Sequence, residues 1–76
     1  MMSFDRVLYR VEKAIARITL NRPEKRNALD PRTLEELRHA FARAEEEAAV
    51  KIVALGGAGR DFCAGLDLTT LQPAAE

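Results

Sequence analysis

The sequence is poor in the residues that carry chemistry on their own. Its 76 residues include one cysteine, Cys63, one histidine, His39, and no tryptophan. A single cysteine excludes an internal disulfide. With no secretory leader to be read, the cytoplasm is the expected location. One thiol and one imidazole fall short of the N and S ligands of a zinc site, so no metal is expected. Those two residues also fall on different expected elements, which speaks against a Cys–His nucleophile pair. An excess of one charge is missing too, since 12 Lys plus Arg balance 12 Asp plus Glu. That balance gives no reason to expect a nucleic-acid partner. Phe4, Tyr9 and Phe41 lie apart with no basic cluster around them, which argues against stacking on single strands. No apolar run is long enough to span a bilayer, so no membrane partner is expected. A chain this short is one small domain or a portion of a larger one, with marginal stability of its own.

Glycine is scarce but concentrated. Three of the 4 glycines stand in Gly56-Gly57-Ala58-Gly59, and the fourth, Gly65, follows in Arg60-Asp61-Phe62-Cys63-Ala64-Gly65-Leu66-Asp67-Leu68. The run Ile52-Val53-Ala54-Leu55 leads into this stretch and reads as a short buried strand. Small residues between a strand and a helix start leave backbone N–H groups open to a ligand, which suits a developing negative charge on oxygen. A plain glycine-rich turn is the competing reading. Two nucleotide motifs fail on spacing. A dinucleotide fingerprint needs a glycine where Phe62 stands, and no glycine here precedes a lysine as in a phosphate-binding loop.

Taken in order, Val7-Leu8-Tyr9-Arg10-Val11-Glu12 alternates as a strand, with Val7, Tyr9 and Val11 on one face. A second strand up to Leu20 puts Ala16, Ile18 and Leu20 on one face, and the short Lys13-Ala14 link predicts an antiparallel hairpin. Asn21 to Asn27 is a loop, because Pro23 breaks either pattern. Its cations Arg22, Lys25 and Arg26 are either solvated or held ready for an anion. Asp30-Pro31 is a helix start, with Asp30 as cap and Pro31 at the first helical position. Leu34, Leu37, Phe41, Ala44 and Ala48 then predict an amphipathic helix to about Ala48. Glu35, Glu36, Arg38, Arg43 and Glu45 to Glu47 form its wet side, with Arg43 and Glu47 a weak pair. His39 reads as a surface residue and Cys63 as a small packing residue. Asp67 reads as the cap of a further helix that begins near Thr69-Thr70-Leu71-Gln72.

Two segments together resemble the amino-terminal part of the crotonase, or enoyl-CoA hydratase/isomerase, family. They are Ile18-Thr19-Leu20-Asn21-Arg22-Pro23-Glu24-Lys25-Arg26-Asn27-Ala28-Leu29 and Val53 through Leu68, with a helix placed between them as in the family. The resemblance implies an α/β fold: the first β-β-α unit of a crotonase-like (ClpP/crotonase) superhelix plus the following strand, so that residues 1–76 are the amino-terminal portion of a single domain. It implies acyl-CoA as substrate, with coenzyme A as part of that substrate and no separate cofactor. It places Lys25, Arg26 and Ala28 along the nucleotide part of CoA, Lys25 toward phosphate and the other two mainly through backbone. Ala64 matches a carbonyl that meets adenine, and Gly65, Leu66, Asp67, Leu68 and Thr69 continue the binding stretch. The Leu66 N–H matches one of two oxyanion-hole donors for the thioester carbonyl. Such a donor is typically worth about 10²–10³ in rate.

The sequence also departs from the family pattern. Many members carry lysine where Thr69 stands, and Arg60 matches another position that is often basic. The second oxyanion donor and the acid/base carboxylates match no residue here, so the chain alone is expected to be inactive. Hydration of a 2-enoyl-CoA, a lyase reaction of fatty acid metabolism, is the first expectation. Isomerisation or another reaction of the family is the second. The resemblance further implies a homo-oligomer for the full-length form. Outside enzymology, the same residues fit a non-catalytic CoA-binding module or a self-associating fragment with open strand edges.

Overall fold

The computed structural model describes residues 4–60, 62, 63 and 65. The helix expected near Asp67 and Thr69 lies outside the described residues. Strands β1 (Val7–Glu12) and β2 (Ile15–Leu20) form an antiparallel hairpin that pairs Val7 with Leu20, Tyr9 with Ile18 and Val11 with Ala16. The alternation in the sequence is the packing in the fold: Val7, Ala16, Ile18 and Leu20 are buried. Lys13 takes a φ of 55° in the link, the left-handed conformation that tight hairpin turns use. On the opposite face Arg17 Nε reaches Glu12 Oε1 at 2.9 Å and Arg10 reaches the same oxygen at 3.3 Å.

Helix α1 (Pro31–Glu46) follows, and then strand β3 (Ile52–Gly57), which runs parallel to β2. The sheet order is β1-β2-β3. Asp30 caps α1 as expected: its Oδ1 accepts from the Thr33 N–H at 2.8 Å, and Pro31 opens the helix. Strand β3 runs on through Gly56 and Gly57, so the turn begins later than the glycines suggest.

The inward face of α1 differs from the apolar stripe in the sequence. Thr33, Glu36, Ala40 and Ala44 are buried, whereas Leu34 and Phe41 are exposed, and the helix ends at Glu46, before Ala48. The buried face is therefore rotated from the apolar stripe but overlaps it, since Ala44 belongs to both and Leu37 packs against the core. Glu36, expected on the wet side, is 0 % exposed. Its Oε1 accepts from the backbone N–H groups of Asp5, Arg6 and Val7 at 3.0, 2.8 and 3.1 Å. Its other oxygen takes Arg32 Nε at 2.9 Å. Backbone donors entering a core need acceptors, and this carboxylate supplies one for the start of β1. Ala40 and Ala44 are small enough to let that face settle on the sheet. Among the described residues, every buried side-chain N or O has a partner.

Strand β3 also departs from expectation. The apolar run predicts a buried strand, yet Ile52 is 58 % exposed, Val53 39 % and Leu55 42 %. In register, Val53 lies beside Ala16 and Leu55 beside Ile18, which places both on the face that the helix covers elsewhere. The helix packs over β1 and β2, so this extension of the core face stays open.

Candidate functional site

The loop after β2 is a single 3-10 turn, Pro23–Lys25, closed by Arg26 and Asn27, with φ of 53° and 57°. Its backbone is closed by short-range hydrogen bonds. Arg26 N–H donates to Pro23 O at 3.0 Å, Asn27 N–H to Arg22 O at 2.8 Å and Ala28 N–H to Lys25 O at 3.0 Å. The three loop cations do not share one fate. Lys25 and Arg26 are exposed. Arg22 is turned inward, where it donates to Ala28 O at 3.2 Å and lies 3.5 Å from Asp30 Oδ2. Arg6 meets the same Asp30 oxygen at 2.5 Å. Burial alone would push the Asp30 carboxyl up. The Thr33 hydrogen bonds and the charges of Arg22 and Arg6 outweigh it and hold the group below the usual carboxylate range.

The glycine turn closes against this loop. Ala58 N–H donates to Leu20 O at 2.8 Å, Asn27 Nδ2 donates to Ala58 O at 2.9 Å, and Leu29 N–H donates to Gly65 O at 2.7 Å. Gly59 has a φ of +81°, and a Cβ there would stand 3.0 Å from Pro23 Cβ. Glycine is thus required at this position both for conformation and for closeness. Two segments far apart in sequence become facing walls. Between them opens a cleft of about 470 Å³ lined by Pro23, Arg26, Gly59 and Arg60. One arginine stands on each wall, an arrangement suited to an anionic ligand.

Of the residues expected to bind ligand, Lys25, Arg26 and Ala28 lie in this loop and Gly65 lies on the facing turn, with Arg26 lining the cleft itself. Ala64, Leu66, Asp67, Leu68 and Thr69 lie outside the described residues. The N–H groups expected to be open are partly engaged: Ala58's by Leu20, and Gly65's by Cys63 Sγ at 3.3 Å. Cys63 packs against the core, in keeping with its reading as a packing residue. His39 sits at the surface, 3.0 Å from Glu35 Oε1. Among the described residues, no group of three or more His, Cys, Asp or Glu is placed to hold a metal ion. No helix there is long and apolar enough to cross a membrane. The joining roles of Asn27 and Gly59 were not read from the sequence. The available signal was an Asn closing a short loop, since Asn is enriched at positive φ.

Comparison with known proteins agrees with this geometry. A family model described as enoyl-CoA hydratase/isomerase matches residues 10–75. The probable enoyl-CoA hydratase EchA14 of Mycobacterium tuberculosis is 45 % identical over 71 residues, covering 93 % of this chain and 28 % of that protein. An enoyl-CoA hydratase/isomerase structure from Xanthobacter autotrophicus Py2 superposes with a TM-score of 0.85 at 46 % identity, covering 88 % of this chain and 25 % of that one. One from Mycobacterium paratuberculosis gives 0.84 at 45 % identity, covering 87 % and 26 %. The chain therefore spans 25–28 % of the length of these relatives, and its three strands and helix are the matching part of their fold. On this match of sequence and backbone, the chain belongs to the enoyl-CoA hydratase/isomerase family, the crotonases.

Proposed function

We propose that the chain forms one wall of a site for acyl-CoA thioesters, within a single crotonase-like domain that hydrates 2-enoyl-CoA. The observation that carries this reading is the cleft that Arg26, from the loop, and Arg60, from the glycine turn, both line. Guanidinium groups bind phosphates through several N–H donors at once, and the CoA nucleotide brings such groups. Lys25 adds a further cation beside the cleft, while the Arg26 and Ala28 N–H groups are bonded within the loop, which leaves carbonyl oxygens for the backbone contacts expected of these two. Ala64 would offer its carbonyl to adenine. The Gly65 carbonyl is held by Leu29, so Gly65 shapes the turn. Asp67, Leu68 and Thr69 would continue the binding stretch.

The chemistry assigned to this chain is one backbone donor. As the thioester carbonyl becomes an enolate, the Leu66 N–H stabilises the charge on oxygen, and any side chain serves because only the N–H is used. No Asp or Glu here is assigned proton transfer, so the chain alone is inactive in this reading. Hydration is preferred because relatives at 45 % identity carry the hydratase name; double-bond isomerisation is the alternative. CoA enters with the substrate, and no resident cofactor is proposed. A cytoplasmic location, a homo-oligomeric full-length form and a place in fatty acid metabolism belong to the same proposal.

The test is calorimetric titration of CoA into the chain. The expected result is weak, salt-sensitive binding that falls at least about threefold in a double variant, Arg26→Gln with Arg60→Gln. No heat at millimolar CoA would overturn the reading.

A further inference from the structure

We infer that Asn27 is a positioning residue that pins the two walls of the cleft in register. This rests on the reading of the cleft as a CoA site, and goes beyond it by assigning what sets its width. Asn27 belongs to the first motif, is 1 % exposed and bonds to both segments. On the loop side its Oδ1 accepts the Arg22 N–H at 2.8 Å, and its own N–H returns to Arg22 O at 2.8 Å. That reciprocal pair closes a ring around Pro23, Glu24, Lys25 and Arg26. On the other side Nδ2 reaches Ala58 O at 2.9 Å, on the strand-to-turn segment that carries Arg60.

The carboxamide is suited to this task because it accepts at one end and donates at the other. Aspartate would keep the acceptor and lose the donor. The φ of 57° adds a second restriction, since Asn, Asp and Gly tolerate it best. Two further contacts depend on the same closure: Leu29 N–H to Gly65 O at 2.7 Å, and Pro23 against Gly59. Arg26 sits next to Asn27 in the chain, and Arg60 sits two residues after Ala58. A shift of either wall therefore changes the spacing of the two guanidinium groups. Asn27 touches no ligand in this scheme and acts through the loop and the turn.

The experiment compares wild-type chain with Asn27→Asp, and with Asn27→Gly as the variant that keeps the backbone freedom. Amide hydrogen exchange and CoA titration are read on each. The expected result is at least about tenfold faster exchange at the Leu29 and Ala58 amides, unchanged exchange at Ala40 and Ala44 in α1, and CoA binding about five- to tenfold weaker. A merely structural role would speed exchange in α1 as much as in the loop, and that outcome would overturn the inference. So would unchanged exchange at Leu29 in both variants, or unchanged CoA affinity in a variant whose loop exchange has risen. If the wild-type chain takes no CoA, the cleft reading fails by itself, and the exchange comparison still decides whether Asn27 joins the walls.

Discussion

Strand β2 has a neighbour on each side, and the two flanks are finished very differently. Toward β1, α1 lies over the sheet, Val7 and Ile18 are fully buried, and the Glu36 carboxylate gathers three backbone donors. Toward β3 the ladder is equally regular, yet Ile52, Val53 and Leu55 remain in solvent. Strand pairing alone does not make a core; a second layer does. On the covered flank that layer is positioned by a charge, since the helix face that turns inward is the one that carries Glu36. The chain spans about a quarter of the length of its matched relatives, and the open flank is where a further layer would find apolar surface to cover.

The contrast between the flanks is most sharply broken at Glu36. Glu36→Ala leaves the Asp5, Arg6 and Val7 amides without their acceptor, and a loss of about 3–5 kcal/mol is expected. For so small a chain that approaches the whole folding free energy. The variant is therefore expected to be unfolded in buffer and recovered in a stabilising osmolyte. Glu36→Gln keeps one carbonyl acceptor in the same place and should cost clearly less. Urea denaturation followed by circular dichroism reads both. If Glu36→Ala were no worse than a truncation on β3, the distinction between the flanks would be lost.

Acid tests the same flank through Asp30. Its folded pKa is depressed relative to the unfolded chain, so it contributes stability that is fully present above the unfolded value of about 3.9. That contribution is lost as pH falls through the folded value. The stability of wild-type protein should thus drop on acidification below about pH 4. Asp30→Asn keeps a capping oxygen but loses the charge that meets Arg6 and Arg22, and should be less stable near neutrality by about 1–2 kcal/mol, with a smaller acid-dependent drop. Parallel acid limbs in the two proteins would remove Asp30 from the account of this flank.

Much of this was legible in the sequence, and the reasons differ by element. The hairpin was readable because a period of two has only two phases, and Val7, Tyr9 and Val11 chose one. The cap was readable because Asp30-Pro31 is a local signal. The helix face was not. A stripe at helical spacing leaves room for a partial rotation, and what settled it was the need of the amides leading into β1 for an acceptor some thirty residues away. Burial of β3 was misread because an apolar run reports what a strand can bury, while what covers it is set by other elements. In the candidate site, Arg26 and Gly65 could be named from their motifs. The inward turn of Arg22 and the bridge made by Asn27 are tertiary facts, visible only once the two segments meet.

The smallest expected effect is on the open flank, where the comparison can be sharpened most cleanly. Leu55 and Ile18 are register partners on one face of the sheet. Their exposures are 42 % and 0 %. Ile18→Ala deletes buried methyl groups and leaves a cavity, at about 2–5 kcal/mol. Leu55→Ala removes a side chain that keeps much of its surface in water and leaves no enclosed void, so its cost should stay below about 1 kcal/mol. Matched urea titrations of the two variants measure the ratio directly. Equal losses would mean that in solution β3 is covered as β1 is, and repeating the titration at several protein concentrations would show whether a second copy supplies the cover, since association makes stability depend on concentration.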